Sequence, residues 1–273
     1  MPYITATDGT SLHVKDMGAG RPVVLIHGWP LTGDMWEKQT LALVEAGYRV
    51  ITYDRRGFGL SGHPINCYNY DVLADDLAVI LEQLDLWDAT LVGFSMGGGE
   101  VARYLSRHGR ARISKAVLLA SIVPFLLKTA DNPDGVDISV FDGIKQEIRQ
   151  DRFAFLKSFL PGFYGMSMLH HPVSEGVLDW SFTLASMASP MATLDCVDAW
   201  GKTDFRSDLQ AFTIPTLIIH GTADSAVPAD IAGRRAADLI PGSIFLEYDG
   251  APHGLFLTHA EQVNEDLLKF LAS

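Results

Sequence analysis

The sequence predicts an α/β fold: a mostly parallel eight-stranded sheet flanked by helices, with a helical cap inserted after the sixth strand. Three observations predict it. Short apolar runs alternate with stretches of helical periodicity through residues 1–121, the pattern of an open sheet with right-handed crossovers. Several of these runs lack polar alternation, as strands buried on both faces do. The rhythm vanishes over 122–208 and returns over 209–273, so the middle segment reads as an insertion between two halves of one core domain.

The elements follow in order. YITAT and TSLHVKDMG flank Asp8-Gly9, a strong hairpin turn. RPVVLIHGWP is a continuous apolar run ending at Gly28. DMWEKQTLALVEAG reads as a helix, with Asp34 as N-cap and Gly47 just past its end. YRVITYD is the next strand and RRGFGLSGHP a glycine-rich loop. YDVLADDLAVILEQLD sets Leu73, Leu77, Ile80, Leu81 and Leu84 at helical spacing. ATLVGFS is a strand, MGGGEVARYLSRHG a helix and ISKAVLLAS the sixth strand. The insertion reads as helices and loops, FDGIKQEIRQDRFAFLKSFL, then VSEGVLDWSFTLASMAS, then ATLDCVDAWGKTDF, and eight of the 14 phenylalanines lie in it. That apolar bulk suits a cap packed over the sheet edge. PTLIIHG, PADIAGRRAADLI, SIFLEYDG and THAEQVNEDLLKFLA then continue strand, helix, strand, helix.

Composition narrows the function. The chain has 273 residues, 48% of them hydrophobic, so a sizeable core is expected. A formal charge of −12 argues against nucleic acid or an anionic membrane surface as partner. The two cysteines, Cys67 and Cys196, lack metal-binding spacing and read as reduced thiols. No metal site is expected. The first ten residues lack a basic start and an apolar run, and no apolar stretch reaches the roughly 18 residues of a span. The chain is read as cytoplasmic.

The chemistry centres on Gly93-Phe94-Ser95-Met96-Gly97. G-x-S-x-G between a strand and a helix is the context of a nucleophile elbow. The sharp turn forces the serine into strained φ/ψ, where side chains two residues away would clash. Gly98 and Gly99 let the helix start lie close on its neighbours. A serine hydroxyl needs a base, and the base an orienting acid. The order that accompanies this elbow is serine, acid, histidine. Asp224 follows the strand TLIIHG, and His253 follows IFLEYDG. Both lie on loops at strand C-terminal ends, which converge on one edge. Asp249 is a rival acid only four residues before His253, but an acid on a neighbouring loop can reach Nδ1 from behind. His27 and His220 precede glycines at strand ends and read as setters of loop geometry. His108, His170, His171 and His259 read as surface, and His13 and His63 as solvated. Two N–H donors must face the developing oxyanion. Met96 N–H at the helix start is one candidate, and Trp29 N–H in HGWP the other. Asp54-Arg55-Arg56-Gly57-Phe58-Gly59 has no phosphate-loop pattern and reads as a brace for HGWP.

HGWP, YDRRGFGLS, LVGFSMGGGEVARY, LLKTADNPDG, TDFRSDL, IIHGTADSAVP and GAPHGLFLTHAEQVNEDLLKFL together resemble the α/β-hydrolase superfamily, and within it the cofactor-free bacterial haloperoxidases (non-haem chloroperoxidases) and their aryl-esterase relatives. The similarity spans nearly the whole chain, cap included. It implies the α/β-hydrolase fold, a Ser95–Asp224–His253 triad, oxyanion donors at Trp29 and Met96, and neither metal nor haem. It also implies hydrolysis of small aryl or short-chain esters through an acyl-enzyme, and peracid formation when hydrogen peroxide replaces water. Some relatives open lactones or γ-lactams, and several assemble as homo-oligomers, trimers or hexamers. Trp-Pro at 29–30 resembles the perhydrolase-competent members, with Pro30 shifting the Trp29 carbonyl toward the peroxide. A small apolar acyl pocket is expected from Trp29, Phe94, Met96, Ile122, Phe125 and Val227, with Phe159 from the cap. Haloalkane dehalogenases and epoxide hydrolases carry a carboxylate at the elbow, against which Ser95 argues. Carbon–carbon bond hydrolases of aromatic degradation and hydrolase-fold small-ligand receptors remain alternatives.

Overall fold

The computed structural model describes residues 3–273; Met1 and Pro2, the start of the expected core segment, lie outside the described residues. Eight strands form one sheet: β1 (Tyr3–Thr5), β2 (Ser11–Gly18), β3 (Pro22–Ile26), β4 (Arg49–Tyr53), β5 (Ala89–Phe94), β6 (Ile113–Leu119), β7 (Thr216–Gly221) and β8 (Ile244–Tyr248). Their order is β1-β2-β4-β3-β5-β6-β7-β8. β2 runs antiparallel to β1 and β4, and every later pairing is parallel. Every residue of β5 and β7 is buried, as the unalternating apolar runs require.

The core helices are α1 (Glu37–Glu45), α2 (Tyr70–Gln83) and α3 (Met96–His108). Between β6 and β7 come α4 (Ile138–Phe163), α5 (Glu175–Ser186) and α6 (Pro190–Lys202), the expected helical insertion. The chain closes with α7 (Gly233–Leu239), α8 (Leu255–Thr258) and α9 (Ala260–Ala272). Local chemistry starts these helices. Asn69, Asp137, Ser174 and Ser189 each accept a backbone N–H of the first turn, and Pro190 follows at N1.

Three readings need correction. Asp34 is not the cap of α1: Thr32 Oγ1 accepts the Asp34 N–H at 3.3 Å and opens a 3₁₀ turn, Gly33–Trp36, ahead of the α-helix. The long cap helix kinks at Asp151 (φ −158°, ψ 93°), whose carboxylate recaps the chain at Ala154 N–H, 2.9 Å. His13 is buried rather than solvated, with Nδ1 3.2 Å from Asp54 Oδ2.

Candidate active site

Ser95 stands at the turn from β5 into α3 with φ 52° and ψ −118°, a conformation that non-glycine residues adopt at a cost. The glycines around it permit the turn. A Cβ on Gly93 would lie 2.5 Å from the Gly97 carbonyl oxygen, and one on Gly97 2.5 Å from that of Ile26. Gly98 abuts Ser121, and Gly99 faces the rings of Phe205 and Tyr70.

The parallel strands end on one edge, and the loops beyond them meet there. Ser95 Oγ lies 2.9 Å from His253 Nε2, and His253 Nδ1 lies 2.6 Å from Asp224 Oδ2. All three side chains are buried. The other carboxylate oxygen of Asp224 accepts the N–H groups of Ala226 (3.0 Å) and Val227 (2.8 Å). Burial opposes the charge on Asp224, yet His253 and the hydrogen bonds from His220 and His253 outweigh it and hold the carboxyl well below the usual carboxylate range. The rings of Phe94 and Phe163 pack on His253 with centroids 5.0 Å away. Asp249, the rival acid, is exposed and accepts from Thr222 Oγ1 at 3.2 Å.

Gly28 is tight against the serine: a Cβ there would be 3.0 Å from Ser95 Cβ. The Gly28 carbonyl accepts the Leu31 N–H at 3.0 Å and lies 3.0 Å from His27 Nδ1. The Arg55 N–H donates to His27 Nε2 at 2.9 Å, so the ring proton is on Nδ1 and points at that carbonyl. A trans peptide is planar, so pinning the Gly28 oxygen turns the Trp29 N–H to the opposite side. Among the described residues, neither Trp29 N–H nor Met96 N–H donates to a protein acceptor. Burial, then the Arg55 charge, keeps the His27 imidazole well below its ordinary value. Arg55 braces the same loop through Nη2 to the His27 carbonyl (2.8 Å), while its Nε donates to Glu100 on α3 at 2.8 Å. The DRRGFG segment is therefore a brace for HGWP, as expected. The Trp29 indole N–H donates to the Thr193 carbonyl on α6 at 3.1 Å, tying that loop to the cap.

A cavity of about 230 Å³ opens on Ser95 and His253. Of the expected lining, Trp29, Ile122, Phe159 and Val227 border it. Phe94 and Phe125 do not. Phe94 is fully buried between His253, Phe163 and Phe256, and Phe125 packs beneath the Arg206 guanidinium, 5.1 Å from ring to Cζ. Met96 is likewise absent from the wall and fully buried. Sequence reasoning missed Val140, Ile144, Trp200, Ser225 and Ala226, which also line the cavity. Val140 and Ile144 are spaced i, i+4 on α4, a signal that was available; nothing in the sequence points Trp200 at Ser95. The wall carries no Asp, Glu, Lys or Arg side chain. Among the described residues, no cluster of His, Cys, Asp and Glu could hold a metal ion, and no helix is long and apolar enough to cross a membrane.

Comparison with known proteins agrees with this architecture. The family model described as alpha/beta hydrolase fold matches residues 21–260. The chain is 46% identical to the non-heme chloroperoxidase of Kitasatospora aureofaciens, covering 99% of each. It is 39% identical to the bifunctional esterase/perhydrolase of Acinetobacter calcoaceticus, over the whole of both chains. Among solved structures, the bromoperoxidase of Bacillus anthracis superposes with a TM-score of 0.96 at 49% identity, with 99% of each chain covered.

Proposed function

The chain belongs to the α/β-hydrolase family, among its non-heme haloperoxidases and esterases, and from that premise we propose that it is a serine esterase acting on small neutral carboxylic esters. We take Ser95, Asp224 and His253 as the catalytic residues, Trp29 and Met96 as the oxyanion donors, and 122–208 as the cap over a core of 1–121 and 209–273. The observation that carries the reading is the unbroken chain of contacts from Ser95 Oγ through His253 to Asp224, 2.9 and 2.6 Å, mounted on a strained turn.

On this reading Ser95 Oγ attacks the ester carbonyl while His253 Nε2 takes its proton. Asp224 holds the imidazole with its other proton on Nδ1 and balances the imidazolium charge. The oxyanion settles between the Trp29 and Met96 N–H groups; losing one such donor costs about 100- to 1000-fold in rate. His253 returns the proton to the leaving alcohol, and the acyl-enzyme is opened by water. Hydrogen peroxide in place of water yields a peracid, which accounts for haloperoxidase activity as oxidation of halide by that product. Pro30 would weight the choice between the two nucleophiles. A cavity of about 230 Å³ without a charged wall favours short acyl chains and aryl alcohols over ionised substrates. Lactones of similar size are compatible with the same chemistry.

The test is p-nitrophenyl acetate hydrolysis, with peracid assayed in a parallel arm containing peroxide. Ser95→Ala should lower both by at least about 1000-fold. Wild-type protein inactive on aryl esters, or a Ser95→Ala variant that keeps either activity, would sink the proposal. The first result would favour a carbon–carbon bond hydrolase or a ligand-binding receptor.

A further inference from the structure

His220 takes no part in the mechanism above, yet it is fully buried at the end of β7, against the loop that carries Asp224. Its Nε2 lies 2.8 Å from the Val227 carbonyl oxygen and 3.3 Å from Asp224 Oδ2. Its Nδ1 is buried with no hydrogen-bond partner. A carbonyl oxygen can only accept, so the proton is on Nε2. The other tautomer would orphan a buried N–H and set a lone pair against two oxygens. The first residue of α7 closes the far side of the ring: a Cβ on Gly233 would lie 2.5 Å from Nδ1 and 2.8 Å from Cγ. Glycine there lets the helix start clamp the imidazole in one orientation.

The consequence falls on the acid. An ionised carboxylate offers about four acceptor directions. Ala226 N–H and Val227 N–H take Oδ1, His253 takes one side of Oδ2, and His220 stands at the other. Two imidazoles thus share one buried oxygen, and only His253 reaches the serine. The same His220 N–H also holds the carbonyl of Val227, whose neighbours Ser225 and Ala226 line the cavity with it.

We infer that His220 is a positioning residue: its Nε2–H, shared between Val227 O and Asp224 Oδ2, locks the acid loop so that Asp224 meets His253 in one geometry. The inference rests on the proposed roles of Ser95, Asp224 and His253.

It predicts different fates for substitutions of similar bulk. Glutamine sets an amide N–H near the place of Nε2, asparagine reaches only the place of Nδ1, and leucine offers no donor. In the full-length chain assayed on p-nitrophenyl acetate, His220→Leu and His220→Asn should lose about 10- to 100-fold in kcat, up to the roughly 100-fold that a 1 Å misplacement of reacting groups can cost. His220→Gln should retain most of it. The far-downfield proton resonance of His253 Nδ1–H should move in the leucine and asparagine variants and stay in place in the glutamine variant. Should His220→Leu not fold, the Asn and Gln pair carries the comparison. Wild-type kcat and an unmoved resonance in a folded His220→Leu or His220→Asn would overturn the inference. So would a folded His220→Gln as impaired as the leucine variant. Ser95→Ala separates the two claims: if it stays active the esterase reading fails, while the resonance alone still decides the role of His220.

Discussion

Asp224 gathers four hydrogen-bonding partners around one carboxylate. Its carboxylate is buried, yet it stays ionised because two backbone N–H groups and two imidazoles surround it. The stability that follows has a sign. The folded-state value lies below the unfolded one, so the contribution is complete above about pH 4 and drains away as the pH falls from there through the lower folded-state value. The urea midpoint of wild type should therefore exceed that of Asp224→Asn at pH 6, and the gap should narrow by pH 3. A gap independent of pH would refute the assignment of that shift to folding. Ser95, Asp224 and His253, the residues proposed as catalytic, were legible in the sequence as candidates, because G-x-S-x-G and the two post-strand loops are local patterns, and the structure brings them within hydrogen-bond distance. The double contact of His220 was not: as a sequence feature it is only a histidine before a glycine.

Among elements, the pairing of α3 with the loop after β4 does the bracing. Arg55 and Glu100 are both fully buried, and the Tyr53 hydroxyl donates to the second Glu100 oxygen. Removing one member leaves a buried charge uncompensated, which typically costs about 3–5 kcal/mol. Glu100→Leu should lower unfolding free energy on that scale in a urea titration. Arg55→Met combined with Glu100→Leu should recover much of the loss, because no lone charge remains. A loss in the double variant equal to the sum of the single ones would contradict a paired role. The sequence located these elements but misjudged several boundaries. Thr32 rather than Asp34 starts the turn before α1, because a side chain two residues upstream reached the free N–H first. The expected helix PADIAGRRAADLI survives only as a 3₁₀ turn and the short α7, broken at Ala232 (φ −127°, ψ −90°) just before Gly233 clamps His220.

For the whole molecule, the helices inserted between β6 and β7 supply Val140, Ile144, Phe159 and Trp200 to the wall of the cavity on Ser95. Phe159 lines the cavity and packs on Trp29, Phe155 and Phe163 with ring centroids 5.6–5.7 Å apart. Phe159→Ala opens space toward α4, and one methylene in an apolar pocket is worth about 1–3 kcal/mol. The kcat/KM ratio of p-nitrophenyl hexanoate to acetate should rise by about tenfold. An unchanged ratio would take Phe159 out of the acyl wall.

The sequence by itself determined the alternation of strand and helix, the eight strands, the place of the inserted helices and the loops that carry the proposed serine, acid and histidine. These are written in periodicity, glycine spacing and the identity of residues at strand ends, all of which act over short stretches of chain. Only the tertiary structure decided which side chains share a surface. Phe94 and Phe125 left the cavity, Val140, Ile144 and Trp200 entered it, and His13 and Asp54 were buried together. The physical reason is that packing joins residues far apart in the chain, and a kink such as that at Asp151 redirects a whole helical face without changing its pattern.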